Sequence, residues 1–349
     1  MKKSTGTNTR ILWIICLMFN YNAPWHSLKK VCLGKSYSPS YYEDISNKKI
    51  RDILQRIAQE TEEDFLGIEK ILKEFGVDVI RPHVVEDSII NHLDVNGKLT
   101  YRGTKSFTLI PRPPMQPRDS ILIIGNEALG TNPECSTFAD VVSIPEQTPC
   151  SFDAPCVTVI GQHLIVDRRD FPGVDLYLSQ RFPDRTIVPV DIGGHNDAVF
   201  APVKPGVIVS TYYHTNYTDT FPGWEVLYIE NQSWNAVPEW RKLKHNNAGK
   251  WWMPGEELNT EFTNFVETWL SHWLGYVEET VFDVNMLMID DRTALVNNYN
   301  KQVFDFFTKH NIEPIIAPFR HRFFWDGGIH CITNDIYRQG NIENYINSD

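Results

Sequence analysis

The feature that most constrains what this chain can fold into is a recurrence of short strands, several paired as hairpins with a helical segment nearby, at intervals of roughly 50 to 70 residues. Segment 28–34 reads as a strand ended by Gly34. Segment 48–75 carries Ile50, Ile53, Leu54, Ile57, Phe65, Ile68, Ile71 and Leu72 at helical spacing, with Gly76 as its stop. Strands are expected at 77–80, closed by Arg81-Pro82, and at 120–124 after a Pro-rich stretch. Segments 158–160 and 163–166 flank Gly161-Gln162 as a hairpin, 174–182 reads as a short helix, and 186–190, 206–210 and 224–229 read as strands. The polar, Trp-rich segment 230–264 reads as a long loop and 265–276 as a helix. A second hairpin spans 285–296, followed by a helix at 301–310 and a strand at 315–316. Such β/α units point to radial or stacked repetition. Nothing resembling an interdomain linker interrupts them, so residues 21–349 are expected to form one α/β domain.

A chain of 349 residues can bury a large core, and a hydrophobic fraction of 42% fits a folded globular protein. The net charge of −11 argues against a general nucleic-acid binder and suits a small cationic ligand. The six cysteines (16, 32, 135, 150, 156, 331) include no Cys-x-x-Cys, so free thiols in a reducing cytoplasm are the simpler reading than a zinc ribbon or a redox motif. At the N-terminus Lys2 and Lys3 precede an apolar run from Ile11 to Phe19. The run is signal-like in order, but no small-residue cleavage site follows, and it is shorter than the roughly 20 residues that span a bilayer. Residues 1–20 therefore read as a leader, either signal-like or lying upstream of a start at Met18. No other stretch reads as a membrane span.

Four stretches carry chemistry. Gly327-Gly328-Ile329-His330-Cys331 presents a thiol after two glycines, which would let the backbone approach a bound substrate; a lone Cys can equally be a small buried hydrophobe. Gly193-Gly194-His195-Asn196-Asp197 offers a proton-transfer group, with Asp197 on the same side if the segment is extended. Asp153, in Phe152-Asp153-Ala154, could orient an imidazole or simply make a turn. Asp119, in Pro117-Arg118-Asp119, could cap a turn or hold a planar cation through both carboxylate oxygens.

Taken together and in this order, these motifs resemble the glycine amidinotransferase family of the guanidine-modifying (pentein) superfamily. Pro117-Arg118-Asp119 followed by a strand and Gly125-Asn126-Glu127, then Phe152-Asp153-Ala154, His195-Asn196-Asp197-Ala198 and Gly327-Gly328-Ile329-His330-Cys331, look like the family's ordered signatures. The resemblance implies a five-bladed, pseudo-symmetric α/β propeller with its active site in the central channel. It implies Cys331 as nucleophile, His195 as general acid/base, Asp153 as its partner, and Asp119 and Asp197 as holders of the guanidinium. It also implies amidino transfer from arginine to a primary amine such as glycine, through an amidino-cysteine and without metal or organic cofactor. A deiminase- or dimethylargininase-like hydrolase on the same scaffold, or an idle binding protein, are the alternatives. Expected partners are a guanidine donor and an amine acceptor, with no nucleic acid or membrane, and a homodimer is compatible with the family.

The chain departs from the family at the amino-acid end of the donor site. The family's carboxylate-holding arginine falls on His214, and a serine that helps hold the donor falls on Asp283. Arg320, eleven residues before the nucleophile, matches the family and is expected to bind substrate.

Overall fold

In a computed structural model, the structure describes residues 19–84, 89, 110–144, 146–192, 194–211, 217–229, 251, 253–256, 258–274 and 282–346. Residues 1–18 of the expected leader, His214 and most of segment 230–257 lie outside the described residues, whereas Phe19 is buried in the core and Asn20 bridges to Tyr337, so the folded unit begins before residue 21.

The strands form five three-stranded sheets, each made of an antiparallel pair and a third strand parallel to its middle strand. The first sheet joins the two ends of the chain. β15 (Thr333–Gln339) pairs antiparallel with β1 (Ser27–Leu33), and β2 (Asp78–Ile80) runs parallel to β1. The others follow in order: β3 (Ile121–Ile124), β4 (Glu127–Gly130) and β5 (Glu146–Gln147); β6 (Val157–Ile160), β7 (His163–Asp167) and β8 (Thr186–Val190); β9 (Phe200–Lys204), β10 (Val207–Ser210) and β11 (Glu225–Tyr228); β12 (Leu287–Asp290), β13 (Thr293–Val296) and β14 (Glu313–Ile316). The parallel third strand needs a crossover, and helices supply it: Lys48–Glu74, Val174–Arg181, Tyr217–Thr220 and Lys301–Lys309 each lie between the second and third strands of a sheet. The result is a five-bladed α/β propeller whose first blade is closed by the C-terminal strand.

Local sequence explains most of these elements. Helix Lys48–Glu74 starts at Asn47, whose side chain accepts from the N–H groups of Lys49 and Ile50. It buries Ile50, Ile53, Leu54, Ile57, Phe65, Ile68 and Leu72 along one face. It stops before Gly76, which adopts φ 74°. Each large apolar side chain so buried contributes roughly 1.5–3 kcal/mol relative to exposure.

Three readings need correction. The helix expected at 265–276 runs from Thr260 to Trp269, because Asn259 caps it by accepting from the Phe262 N–H at 3.0 Å. The loop assigned to 230–264 therefore ends earlier than expected. β4, β5, β9 and β15 are strands that the sequence pattern did not indicate; β9 carries Pro202, tolerated because β9 is at the edge of its sheet.

The first strand of every blade faces the propeller axis. A narrow internal cavity of about 60 Å³ is touched by Ile121 of β3, Val157 of β6, Phe200 of β9, Met288 of β12 and Asn334 of β15. Among the described residues, no helix is long and apolar enough to cross a membrane.

Candidate active site

Each chemical motif ends just before a first strand: Asp119 before β3, Asp153 before β6, His195 and Asp197 before β9, Asn285 before β12, and His330-Cys331 before β15. Pseudo-symmetry thus delivers one functional segment per blade to the same end of the axis. Side-chain amides stitch neighbouring blades at this level. Asn196 donates to the carbonyls of Cys156 (3.0 Å) and Ile165 (3.2 Å), and Asn334 to that of Ile121 (2.8 Å).

The thiol of Cys331 is buried. Its Sγ lies 3.5 Å from Asp197 Oδ2 and receives a hydrogen bond from Asn285 Nδ2 at 3.0 Å. Burial, and then the Asp197 charge, push the thiol well above its ordinary value, against a smaller downward pull from His195. His195 stands 3.3 Å from Asp153 Oδ2 through its Nε2. Burial opposes its protonation, yet Asp153, Cys331, Asp119 and Asp197 together hold it well above the usual histidine range. Both directions favour a protonated thiol beside a protonated imidazole.

The two proposed guanidinium holders differ. Burial raises the Asp119 carboxyl to about 7, partly offset by His195 and Arg112. Asp197 is also buried, but the hydrogen bond from His330 and the nearby charges of His195 and Arg118 outweigh burial and bring it down to about 2. His330 Nδ1 lies 2.7 Å from Asp197 Oδ2. Burial and the Arg118 guanidinium keep His330 itself below its usual value, so a neutral ring donating Nδ1–H to a carboxylate describes the pair. Oδ1 of Asp119 and Oδ1 of Asp197 are both buried without a hydrogen-bond partner. Two such acceptors, Asp197 in contact with the Cys331 thiol and Asp119 near enough for its charge to act on it, are what a planar cation with several N–H donors would satisfy. Asp197 sits on a short 3-10 turn (Asn196–Ala198), not in the extended segment expected from the sequence. His195 and Asp197 consequently serve different partners.

The glycines before Cys331 have a structural cause. Neither has a left-handed φ; that conformation belongs to Asp326, with φ 51°. A Cβ on Gly328 would lie 2.5 Å from Asn285 Oδ1 and 2.8 Å from Asn297 Nδ2, and one on Gly327 would lie 2.4 Å from Gln116 Nε2. The glycines admit amide side chains that fix the loop, which corrects the expectation that they admit substrate. Beneath the loop, Arg118 Nε donates to the carbonyls of His330 (2.8 Å) and Thr333 (2.9 Å), and its Nη2 pairs with Asp335 at 3.1 Å.

Asp119, Asp153 and His195 line an outer cavity of about 420 Å³, within the range of small-molecule sites. Asp197 and His330 line the axial cavity, and Cys331 touches both groups through Asp197 and His195. Arg320 does not line the outer cavity. Its guanidinium is taken by Asp64 (Nε to Oδ1, 2.9 Å), Glu63 (2.8 Å) and the Glu60 carbonyl (2.8 Å) of helix Lys48–Glu74. Its partners therefore lie on that helix, away from the outer cavity where a substrate contact was expected. Asp283 does not line the cavity either: burial raises its carboxyl, and Asn298 Nδ2 donates to its Oδ1 at 2.7 Å. Residues that the sequence did not single out for the site include Arg112, Gln116, Asn132, Asn285 and Asn297. Among the described residues no cluster of His, Cys, Asp and Glu is arranged to hold a metal ion.

No family model matches the chain. It is 22% identical to an L-arginine:L-lysine amidinotransferase of Pseudomonas savastanoi pv. phaseolicola, over 93% of this chain and 90% of the relative. It is also 22% identical to a mitochondrial glycine amidinotransferase of Xenopus laevis, over 94% of this chain and 80% of the relative. By fold it is similar to SxtG, an amidinotransferase from Microseira wollei in the saxitoxin biosynthetic pathway (TM-score 0.66, 14% identity, 94% of this chain and 99% of that one). A dimethylarginine dimethylaminohydrolase shares the fold more distantly (TM-score 0.51, 10% identity, 88% of this chain and 98% of that one). With the ordered motifs brought to one end of a five-bladed propeller and sequence similarity running nearly the length of curated amidinotransferases, the chain is similar to the amidinotransferases in sequence and shares the five-bladed pentein fold.

Proposed function

We propose that this chain moves an amidino group from an arginine-like guanidine donor to a primary amine through a covalent adduct on Cys331. The observation that carries the reading is the pair of buried, unpartnered oxygens, Asp119 Oδ1 and Asp197 Oδ1, beside a thiol and a proton-transfer histidine.

A guanidinium entering between these carboxylates offsets the negative charge that holds the proton on Cys331, so the thiol ionises and its proton leaves to solvent. The thiolate attacks the guanidinium carbon and forms a C–S bond. The bond from that carbon to the alkyl-bearing nitrogen breaks as imidazolium His195 gives that nitrogen its proton, and the amine departs. An amidinium on sulfur and a neutral His195 remain. A neutral incoming amine then attacks the same carbon, His195 takes a proton from it, and the C–S bond breaks to return thiolate and a new guanidinium. Asp153 keeps the ring oriented and its protonated form stabilised throughout. With arginine as donor the first product is ornithine, and glycine or lysine, the acceptors in the relatives' names, are the amines to try first.

The test is product analysis after incubation with arginine, with and without an added amine. Ornithine and a guanidino product formed only with the amine, and abolished in Cys331→Ala with the fold retained, support the transferase. Citrulline formed without any amine assigns the site to a hydrolase instead.

A further inference from the structure

Resting on this guanidine-transfer reading, we propose that Arg112 receives the carboxylate of an amino-acid substrate and so selects donors or acceptors that carry one. Arg112 lines the outer cavity with Asp119, Asp153 and His195. The wall also carries the carboxylates of Glu134 and Asp326, and Arg112 is the one arginine among its described residues. The guanidine and amine ends of the substrates are cations and are matched by these carboxylates. Beside the His195 imidazolium, which pairs with Asp153 and serves the proton transfers, Arg112 is the positive group on this wall, among its described residues, that an anionic end has to meet.

Arg112 is held in place without being neutralised. Its Nη2 donates to Gln116 Oε1 and to the Trp325 carbonyl at 3.0 Å, both uncharged acceptors. Its Nε is buried without a partner, and the guanidinium forms no ion pair among the described residues. Arg320 is the contrast, with its guanidinium already bound by Asp64 and Glu63. Gln116 extends the support by donating Nε2 to the carbonyls of Trp325 (3.0 Å) and Asp326 (2.5 Å), which ties the arginine to the loop that leads into Cys331. Arg112 also acts on the carboxylates of both Asp119 and Asp153, lowering each. A preoriented guanidinium fork with an unused N–H is suited to a carboxylate, which it can bind through two charge-assisted hydrogen bonds.

The carboxylate could be the donor's or the acceptor's, and two substrate pairs separate these. L-Arginine is compared with agmatine as donor, and glycine with ethylamine as acceptor, in the full-length protein and in Arg112→Gln and Arg112→Lys. Glutamine keeps an N–H for the Trp325 carbonyl, so the loop retains its tie. Loss of a charge-assisted carboxylate contact raises KM for the carboxylated member of one pair about 10- to 100-fold, with a far smaller change for its decarboxylated partner. Lysine falls between. The pair that moves names the substrate.

Changes that affect both members of each pair alike, or neither, overturn the assignment. Binding is read separately as protection of Cys331 from iodoacetamide by arginine and by agmatine. Better protection by arginine in the wild type, made equal in Arg112→Gln, supports the role even if no amidino product forms, an outcome that would sink the transfer reading alone. Equal protection in the wild type, together with unmoved acceptor kinetics, sinks the Arg112 proposal.

Discussion

Asn285 grips Cys331 by both its sulfur and its backbone. The amide Nδ2 donates to Sγ at 3.0 Å, and Oδ1 accepts the Cys331 N–H at 3.2 Å and the His330 N–H at 3.0 Å. Asn285 enters from the segment before β12, whereas Cys331 precedes β15, so two blades meet in this contact. Asn297 backs it by donating to the Asn285 carbonyl at 2.7 Å and accepting the Ile329 N–H at 3.0 Å. The amide supplies a donor that can stabilise a thiolate in a setting where Asp197 works against one.

Asn285→Asp replaces that donor with a carboxylate. The rate of Cys331 alkylation by iodoacetamide at pH 8 should fall at least about tenfold, one unit of thiol pKa. Asn285→Ala should lower stability by about 1–3 kcal/mol, read from thermal melts, because buried N–H groups lose their acceptor. An Asp variant alkylated as fast as the wild type would contradict the role given to Nδ2.

Asp119 links stability to function through pH. Its carboxyl titrates at about 7 in the folded chain because burial disfavours its charge, against about 4 in an unfolded chain. The native state thus binds this proton more tightly than the unfolded state. The stability it contributes is present at low pH and is lost as pH rises from about 4 to about 7. Asp119→Asn should therefore raise the melting temperature by a few degrees at pH 8, on the order of 1 kcal/mol, with no gain at pH 4, and should abolish transfer. Melts at the two pH values check the sign; a variant destabilised at pH 8 would contradict it.

Asp153 helps hold His195 protonated. Asp153→Asn removes that support, so the imidazolium loses its proton at lower pH and the alkaline limb of kcat/KM should move to lower pH by about one unit. A pH–rate profile of both proteins reads this directly. An unmoved limb would mean that another group sets it.

Arg320 binds helix Lys48–Glu74, with its side chain 42% exposed. Arg320→Gln should cost about 1 kcal/mol, a value limited by solvent screening of the network, and change KM for donor and acceptor by less than about twofold. A large rise in KM for one substrate would restore the binding role that the sequence suggested.

The sequence alone singled out the candidate site residues and many of the elements that carry them. Cys331, His195, Asp153, Asp119 and Asp197 stand in motifs recognisable by type and order. Helix Lys48–Glu74 and hairpins β6–β7 and β12–β13 follow from periods and turns that act over a few residues. The tertiary structure decided how those residues are used. Gly328 is glycine because the amides of Asn285 and Asn297 occupy the space of a Cβ. Asp197 answers to His330, 133 positions away, and Arg320 is drawn to Asp64, 256 positions away. Arg112 reaches the cavity wall by packing against the Trp325 carbonyl across 213 positions. Local propensity shapes helices and turns, but a side chain's partner is set by closure of the propeller, which brings distant segments within hydrogen-bond distance.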